Sequence, residues 1–183
     1  RFALRLGLAT LVDDEIQLGV TCIDMGGGTT SISVFFDGEL VHTDSIPVGG
    51  VHVTNDIARG LSTPLGPAER MKTLYGSALA SASDDREVIK APLVGEEKSS
   101  EASHIPRSML VGIIRPRIEE TLEMVHDRLQ AAGFDKVAGR RVVLTGGASQ
   151  LPGVRELASS IINKQVRMGR PKALLPWHGV TLL

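Results

Sequence analysis

Hydrophobic positions along the chain alternate between a strand period and a helix period, and their order predicts a mixed α/β fold. Residues 20–24 form a short apolar run between Gly19 and the triplet Gly26-Gly27-Gly28, the profile of a buried strand entering a tight turn. Residues 31–36 are β-branched and aromatic, Asp37-Gly38 is a hairpin signal, and residues 39–48 return as the next strand of a β-meander. Gly49-Gly50 breaks that strand. Val53, Ile57 and Ala58 then give residues 51–59 a helical period.

Residues 60–67 are rich in Gly, Ser, Thr and Pro and read as a linker into a second substructure. Pro67 is placed as a first helical residue, Met71, Leu74 and Tyr75 follow at helical spacing, and Gly76 is the stop. Residues 87–94 are expected as a short strand and 95–103 as an exposed polar loop. Pro106 starts a helical stretch with Met109, Leu110, Ile113 and Ile114. Pro116 is expected to interrupt it and open a new helix with Ile118, Leu122, Val125 and Leu129 inward, ending at Gly133. Residues 141–145 read as another buried strand running into Gly146-Gly147. Pro152 is then expected to begin a helix with Val154, Leu157, Ala158, Ile161 and Ile162 facing the core.

With 183 residues and a hydrophobic fraction of 42%, the chain can build one compact domain or two small subdomains sharing an interface. A formal net charge of -1 supplies no global field toward nucleic acid or an anionic membrane, and nucleic acid is not an expected partner. Cys22, the single cysteine, lies in an apolar run and reads as a small buried hydrophobe. The five histidines show no metal-ligand spacing. Without a signal-like leader or a run of about 18 apolar residues, the default compartment is the cytoplasm.

The candidate chemistry sits at two glycine turns. Asp24-Met25-Gly26-Gly27-Gly28-Thr29-Thr30 falls at the tip of a hairpin between strands, which separates it from P-loops and dinucleotide-binding turns. Glycines at Gly26, Gly27 and Gly28 let amide N–H groups approach phosphate oxygens, and the Thr29 and Thr30 hydroxyls are expected to add side-chain donors. Asp24 would repel phosphate directly, so its expected task is to orient a water or a phosphate-bound Mg2+ ion. In the second turn, Gly146, Gly147 and Ala148 join a strand to a helix and allow a flat base or ribose to lie against the backbone. Glu69 and Lys72, three residues apart, share a helix face between the two turns.

A D-x-G-G-G-T-T hairpin followed by L-T-G-G-A-S-x-L-P-G at residues 144–153 resembles the phosphate-2 and adenosine motifs of the actin/Hsp70 ATPase superfamily. Within it, several details resemble the bacterial cell-division protein family FtsA. They are residues 22–30, Ile46-Pro47-Val48-Gly49-Gly50 followed by Thr54, Asp56 and Ile57, then Leu74-Tyr75-Gly76 and residues 114–120. The resemblance runs from about residue 19 to 171. It implies the second half of an actin-like (ribonuclease H-like) fold: subdomain 2A from residues 18–60 and 134–171, an inserted subdomain 2B at 61–133, and a non-family tail at 172–183. It also implies ATP and Mg2+ as cofactors, with the Glu69/Lys72 pair reaching ribose and adenine.

By the same resemblance the full-length protein is a scaffold that polymerises like actin and holds filaments of the tubulin-like protein FtsZ on the inner face of the membrane at the division site, recruiting later division proteins. FtsZ's C-terminal tail would bind 2B, with Arg117 and Glu120 as contacts. Arg107, Arg115 and Arg128 would add to that guanidinium-bearing surface. The half that positions the attacking water is missing from the match, so no catalytic residue is assigned and hydrolysis by this chain alone is not expected. The family's C-terminal amphipathic membrane helix is not matched by residues 172–183, which Pro176 and Gly179 break. A truncated or frame-shifted end is the expectation there, and residues 1–7 are expected to be similarly foreign. The rivals are a PilM-like pilus-assembly protein, a sugar kinase and an Hsp70-type chaperone. The last two lack, respectively, an identifiable catalytic carboxylate and a following peptide-binding domain.

Overall fold

The computed structural model describes residues 10–95, 103–137 and 139–170. Along the chain its elements are α1 (Asp13–Leu18), β1 (Val20–Met25), β2 (Thr30–Phe36), β3 (Glu39–Ile46), α2 (Gly50–Gly60), α3 (Leu65–Tyr75), β4 (Val88–Ala91), β5 (Ser103–Pro106), α4 (Arg107–Ala131), α5 (Phe134–Val137), β6 (Arg141–Thr145), a 3-10 turn (Gly147–Gln150), α6 (Val154–Ile162) and β7 (Gln165–Met168).

Five strands form one sheet in the order β3-β2-β1-β6-β7. β1 runs antiparallel to β2 and parallel to β6, and its continuous apolar sequence follows from being covered on both faces. β3, at the edge, alternates exposed and half-buried positions and joins β2 through a turn whose two residues, Asp37 and Gly38, both take positive φ. The β1/β6 register sets Asp24 opposite Thr145. Both glycine turns therefore leave the sheet side by side at the carboxyl ends of parallel strands, where open α/β sheets bind ligands.

Alternation along the strands divides the core. Ile23, Met25, Val142 and Leu144 face one way, against Val53 and Ile57 of α2, Ile114, Ile118 and Leu122 of α4, and Leu157 and Ile162 of α6. Val20, Cys22, Phe35 and Val143 face the other way, against Leu11 and Ile16. On that second face the buried carboxylate of Glu15 accepts a forked pair of bonds from Arg167 at 2.7 and 2.5 Å. The Arg167 bonds hold the Glu15 carboxyl below its usual range against the opposing effect of burial.

Pro116 does not split the predicted helix: α4 runs unbroken for 25 residues. Proline at this position withholds a donor from the carbonyl of Gly112, costing about 3 kcal/mol in a helix interior. Pro116 and Gly112 are both on the exposed side, where water can serve that carbonyl. On the inner side Leu110, Val111, Ile114, Ile118, Leu122, Val125 and Leu129 are buried on both sides of the proline, each contributing about 1.5–3 kcal/mol. Packing outweighs the local break.

Smaller differences have local causes. α3 starts at Leu65 with Pro64 as its cap, so Pro67 sits inside the first turn, where its missing N–H costs nothing. α6 begins at Val154, after Gly153 turns the chain in left-handed backbone. Pro106 ends β5, which pairs antiparallel with β4 and meets the predicted loop only at Ser103. α1, α5 and β7 are four to six residues long, too short to announce themselves by period. The expectations for residues 1–7, 96–102 and 172–183 lie outside the described residues.

Candidate functional site

The glycine turn after β1 is welded to the start of α2. The amides of Gly50 and Val51 donate to the carbonyls of Gly26 and Gly27 at 2.9 and 2.8 Å. Two donors of the helix N-terminus are thereby satisfied by the turn, and the turn's carbonyls point away from the opposite side. Gly49 makes this approach possible, because a Cβ there would lie 2.6 Å from the carbonyl oxygen of Gly26 and 2.7 Å from that of Gly27. Gly27, Gly28 and Thr29 are exposed, and their amides take no hydrogen-bond partner among the described residues. These three consecutive exposed amides are donors available to an anion.

Gly146 brings the second turn against the first. Its φ is +90°, and a Cβ there would overlap the Asp24 carboxylate and lie 2.5 Å from the Met25 carbonyl oxygen. Ser149, buried, donates to the Gly146 carbonyl at 2.7 Å and holds the 3-10 turn shut. Gly147 is open, with nothing near the position of a side chain.

Glu69 and Lys72 project from α3 between the turns. Lys72 Nζ donates to Glu69 Oε2 at 2.7 Å, to Thr54 Oγ1 at 2.8 Å and to the Gly50 carbonyl at 3.0 Å. The Thr54 hydroxyl also reaches the same Glu69 oxygen. Burial acts to raise the Glu69 carboxyl, but the Lys72 and Thr54 hydrogen bonds and the Lys72 charge overcome it and leave it lowered. At Asp24, burial dominates and pushes the carboxyl up.

These pieces enclose a cavity of about 390 Å³. Gly26, Gly27, Gly50 and Val51 line one wall, Glu69, Lys72 and Thr73 a second, and Gly147, Ala148, Gln150, Leu151 and Pro152 a third, with Val53 and Ile118 at the base. The sequence-predicted Gly26, Gly27, Glu69, Lys72, Gly147 and Ala148 thus come together, whereas Asp24 near the end of β1, Gly28 and Thr29 after it, and Gly146 adjoin them along the chain without lining the cavity. Thr30 does not present a donor as expected. Its side chain is fully buried and its hydroxyl donates to the Val48 carbonyl at 2.8 Å, bracing the turn from behind. Ile118, Gln150 and Leu151 were not singled out by sequence, because apolar or amide side chains carry no chemical signature of a ligand. Thr54, four residues after Gly50, was legible only as part of a motif.

Arg117 and Glu120 lie on α4, next to the cavity-lining Ile118. Arg117 makes a bidentate bond to Asp56 of α2, at 2.6 and 3.1 Å, and a further bond to Glu120 at 2.5 Å. The other arginines of this stretch are paired too: Arg107 with Asp84, Arg115 with Glu119 and Arg128 with Asp44. The expected guanidinium face is therefore charge-compensated. Among the described residues no group of three or more His, Cys, Asp or Glu side chains can hold a metal ion, and no helix is long and apolar enough to cross a membrane.

The sheet, the paired glycine turns and the cavity between them define one half of an actin-like fold. The crystal structure of MreB5 of Spiroplasma citri bound to ADP matches with a TM-score of 0.73 at 20% identity, over 92% of this chain and 54% of that one. The PilM-PilN type IV pilus biogenesis complex matches at 0.64 and 19% identity, over 93% of this chain and 40% of the other. The family model "Cell division protein FtsA" matches residues 21–180, and the chain belongs to the FtsA family. It is 54% identical to cell division protein FtsA of Rhizobium meliloti over 165 residues and 41% identical to that of Pseudomonas aeruginosa over 163. Those alignments cover 90% and 89% of this chain but only 37% and 38% of the relatives' lengths.

Proposed function

We propose that this chain is the nucleotide-binding and partner-binding half of an FtsA-type division scaffold, with its cavity the seat of ATP. The carrying observation is the convergence of the two glycine turns on one cavity, with free amides on the first turn and a carboxylate-bearing wall opposite. The amides of Gly27, Gly28 and Thr29 would receive phosphate oxygens, the open backbone of Gly147 and Ala148 would take the adenosine, and Glu69 would face its ribose. That MreB5 has been crystallised with ADP and with AMPPNP supports this use of the same architecture.

Mg2+ fits the site only through the nucleotide. The described residues offer no protein cage, whereas Asp24, at the mouth of the first turn, can hold a water of an ion whose other ligands are phosphates and water. Nucleotide bound here acts as a conformational ligand, favouring assembly and presenting residues 61–133, the 2B unit, to the FtsZ tail. Residues 18–60 and 134–171 make up 2A. Membrane attachment and hydrolysis belong to the full-length protein. The likeness to the PilM-PilN complex, at 19% identity, carries the fold alone, whereas the FtsA model matches this chain's sequence, so the pilus-assembly alternative is the weaker one.

The test is calorimetric titration of the chain with Mg-ATP, beside Gly147→Glu. A Cβ at Gly147 meets nothing within 4 Å, so this variant is expected to keep the fold while placing a negative charge on the cavity wall. Saturable binding lost in the variant is expected. Absence of saturable binding by the unaltered chain, or equal binding by both, would overturn the proposal.

A further inference from the structure

We propose that Thr54 is a positioning residue that aims the Glu69 carboxylate into the cavity and thereby sets preference for a ligand that donates hydrogen bonds there, a ribonucleotide over its deoxy counterparts. The inference rests on the nucleotide reading above and deepens it.

An ammonium carries three protons, and all three of Lys72 are spent on protein oxygens: the Gly50 carbonyl, Thr54 Oγ1 and Glu69 Oε2. Lys72 lines the cavity but has no proton left for a ligand, so its contribution is to hold the wall. Thr54 is the junction of that wall. Its oxygen accepts from Lys72, and its single proton reaches Glu69 Oε2, with the Gly50 carbonyl, 3.1 Å away, the only competing acceptor. Lys72 already serves that carbonyl, which leaves the hydroxyl proton to the carboxylate.

Both bonds to Glu69 converge on Oε2. Oε1 has no partner among the described residues, and the side chain is 53% exposed on the cavity wall. An ionised carboxylate accepts and never donates. What meets Oε1 must therefore carry a proton, as vicinal ribose hydroxyls do and a deoxy carbon does not. The lowered pKa of Glu69 keeps this acceptor ionised at neutral pH. Thr54 itself is buried on α2 and does not line the cavity, so any effect it has on selectivity passes through Glu69.

The experiment compares ATP, 2′-deoxy-ATP and 3′-deoxy-ATP by calorimetry on the chain and on Thr54→Val, Thr54→Ala and Thr54→Ser, with a thermal melt to show that each is folded. A hydrogen bond to a charged acceptor corresponds to about tenfold in affinity. The unaltered chain is expected to bind ATP about tenfold tighter than at least one deoxy analogue. Thr54→Val and Thr54→Ala lose that ratio while keeping their affinity for the analogue, and Thr54→Ser restores it. A purely structural role would weaken all three ligands alike. Full discrimination in a folded Thr54→Val or Thr54→Ala, or equal binding of all three ligands by the unaltered chain, overturns the inference and leaves nucleotide binding standing. No binding of any of them removes both.

Discussion

Arg117 and Asp56 tie α4 to α2 through a bidentate ion pair whose side chains are 29% and 24% exposed. α2 begins at the glycine turn, so this pair joins a cavity-lining helix to the residue that the FtsA resemblance implies for partner binding. Arg117 has five N–H donors, and three are used by Asp56 and Glu120. One remains on each terminal nitrogen, the outward edge that a carboxylate of an approaching peptide can grip.

Arg117→Ala is therefore expected to abolish binding of a labelled peptide matching the FtsZ C-terminal tail, read by fluorescence anisotropy, and to cost about 1–2 kcal/mol in denaturant unfolding. Asp56→Asn separates the two effects, giving a similar loss of stability with the peptide still bound. If Arg117→Ala binds the peptide as well as the unaltered chain, the pair is structural alone.

Asp24 is held at a cost. Burial raises its carboxyl pKa in the folded chain, so its contribution to stability is present at low pH and lost as pH rises through the folded value. Asp24→Asn is expected to raise the melting temperature by about 2–4 °C at neutral pH, an advantage that disappears on acidification below the ordinary carboxylate range. The same variant should weaken the Mg2+ dependence of ATP binding. A lower melting temperature at pH 7 would show that the carboxylate supports the turn.

Glu15 has the opposite sign. Its pKa is lowered by the Arg167 bonds, so its contribution is complete above about 4.5 and drains away as pH falls through the folded value. Glu15→Gln is expected to cost about 2–3 kcal/mol at pH 7, less than the about 3–5 kcal/mol for breaking a fully buried pair, because Arg167 stays 41% exposed. Urea unfolding at pH 7 and pH 3.5 checks this, with the difference between the two proteins shrinking at the lower pH.

Pro116→Ala restores a donor on the exposed side of α4 without touching the core and is expected to stabilise the chain by about 1–3 kcal/mol. A rise in the denaturation midpoint with unchanged slope supports this. A fall would mean that the proline sets the line of the helix.

The buried strands were legible because a strand covered on both faces has a continuous apolar sequence, as at Val20–Met25 and Arg141–Thr145. The glycine turns were legible because their backbone geometry excludes side chains, at Gly49 and Gly146 above all. The unbroken α4 was not, since the residues that overrule Pro116 do so through contacts with α2 and α6 that no local pattern carries. The pairing of Arg117 with Asp56, 61 positions away, was hidden for the same reason. A hydroxyl such as that of Thr30 looks alike in sequence whether it faces a ligand or a neighbouring carbonyl.

The parallel pairing of β1 with β6 carries a kinetic consequence. The two glycine turns are joined by a loop of more than a hundred residues, and that loop must close before Asp24 meets Thr145. Contacts of such long range form slowly, after local helices and hairpins. During synthesis the first turn leaves the ribosome well before its counterpart, so the two turns cannot pair in the early folding steps. The cavity is completed only once β6 has docked beside β1, so its two glycine-turn walls come together late in folding.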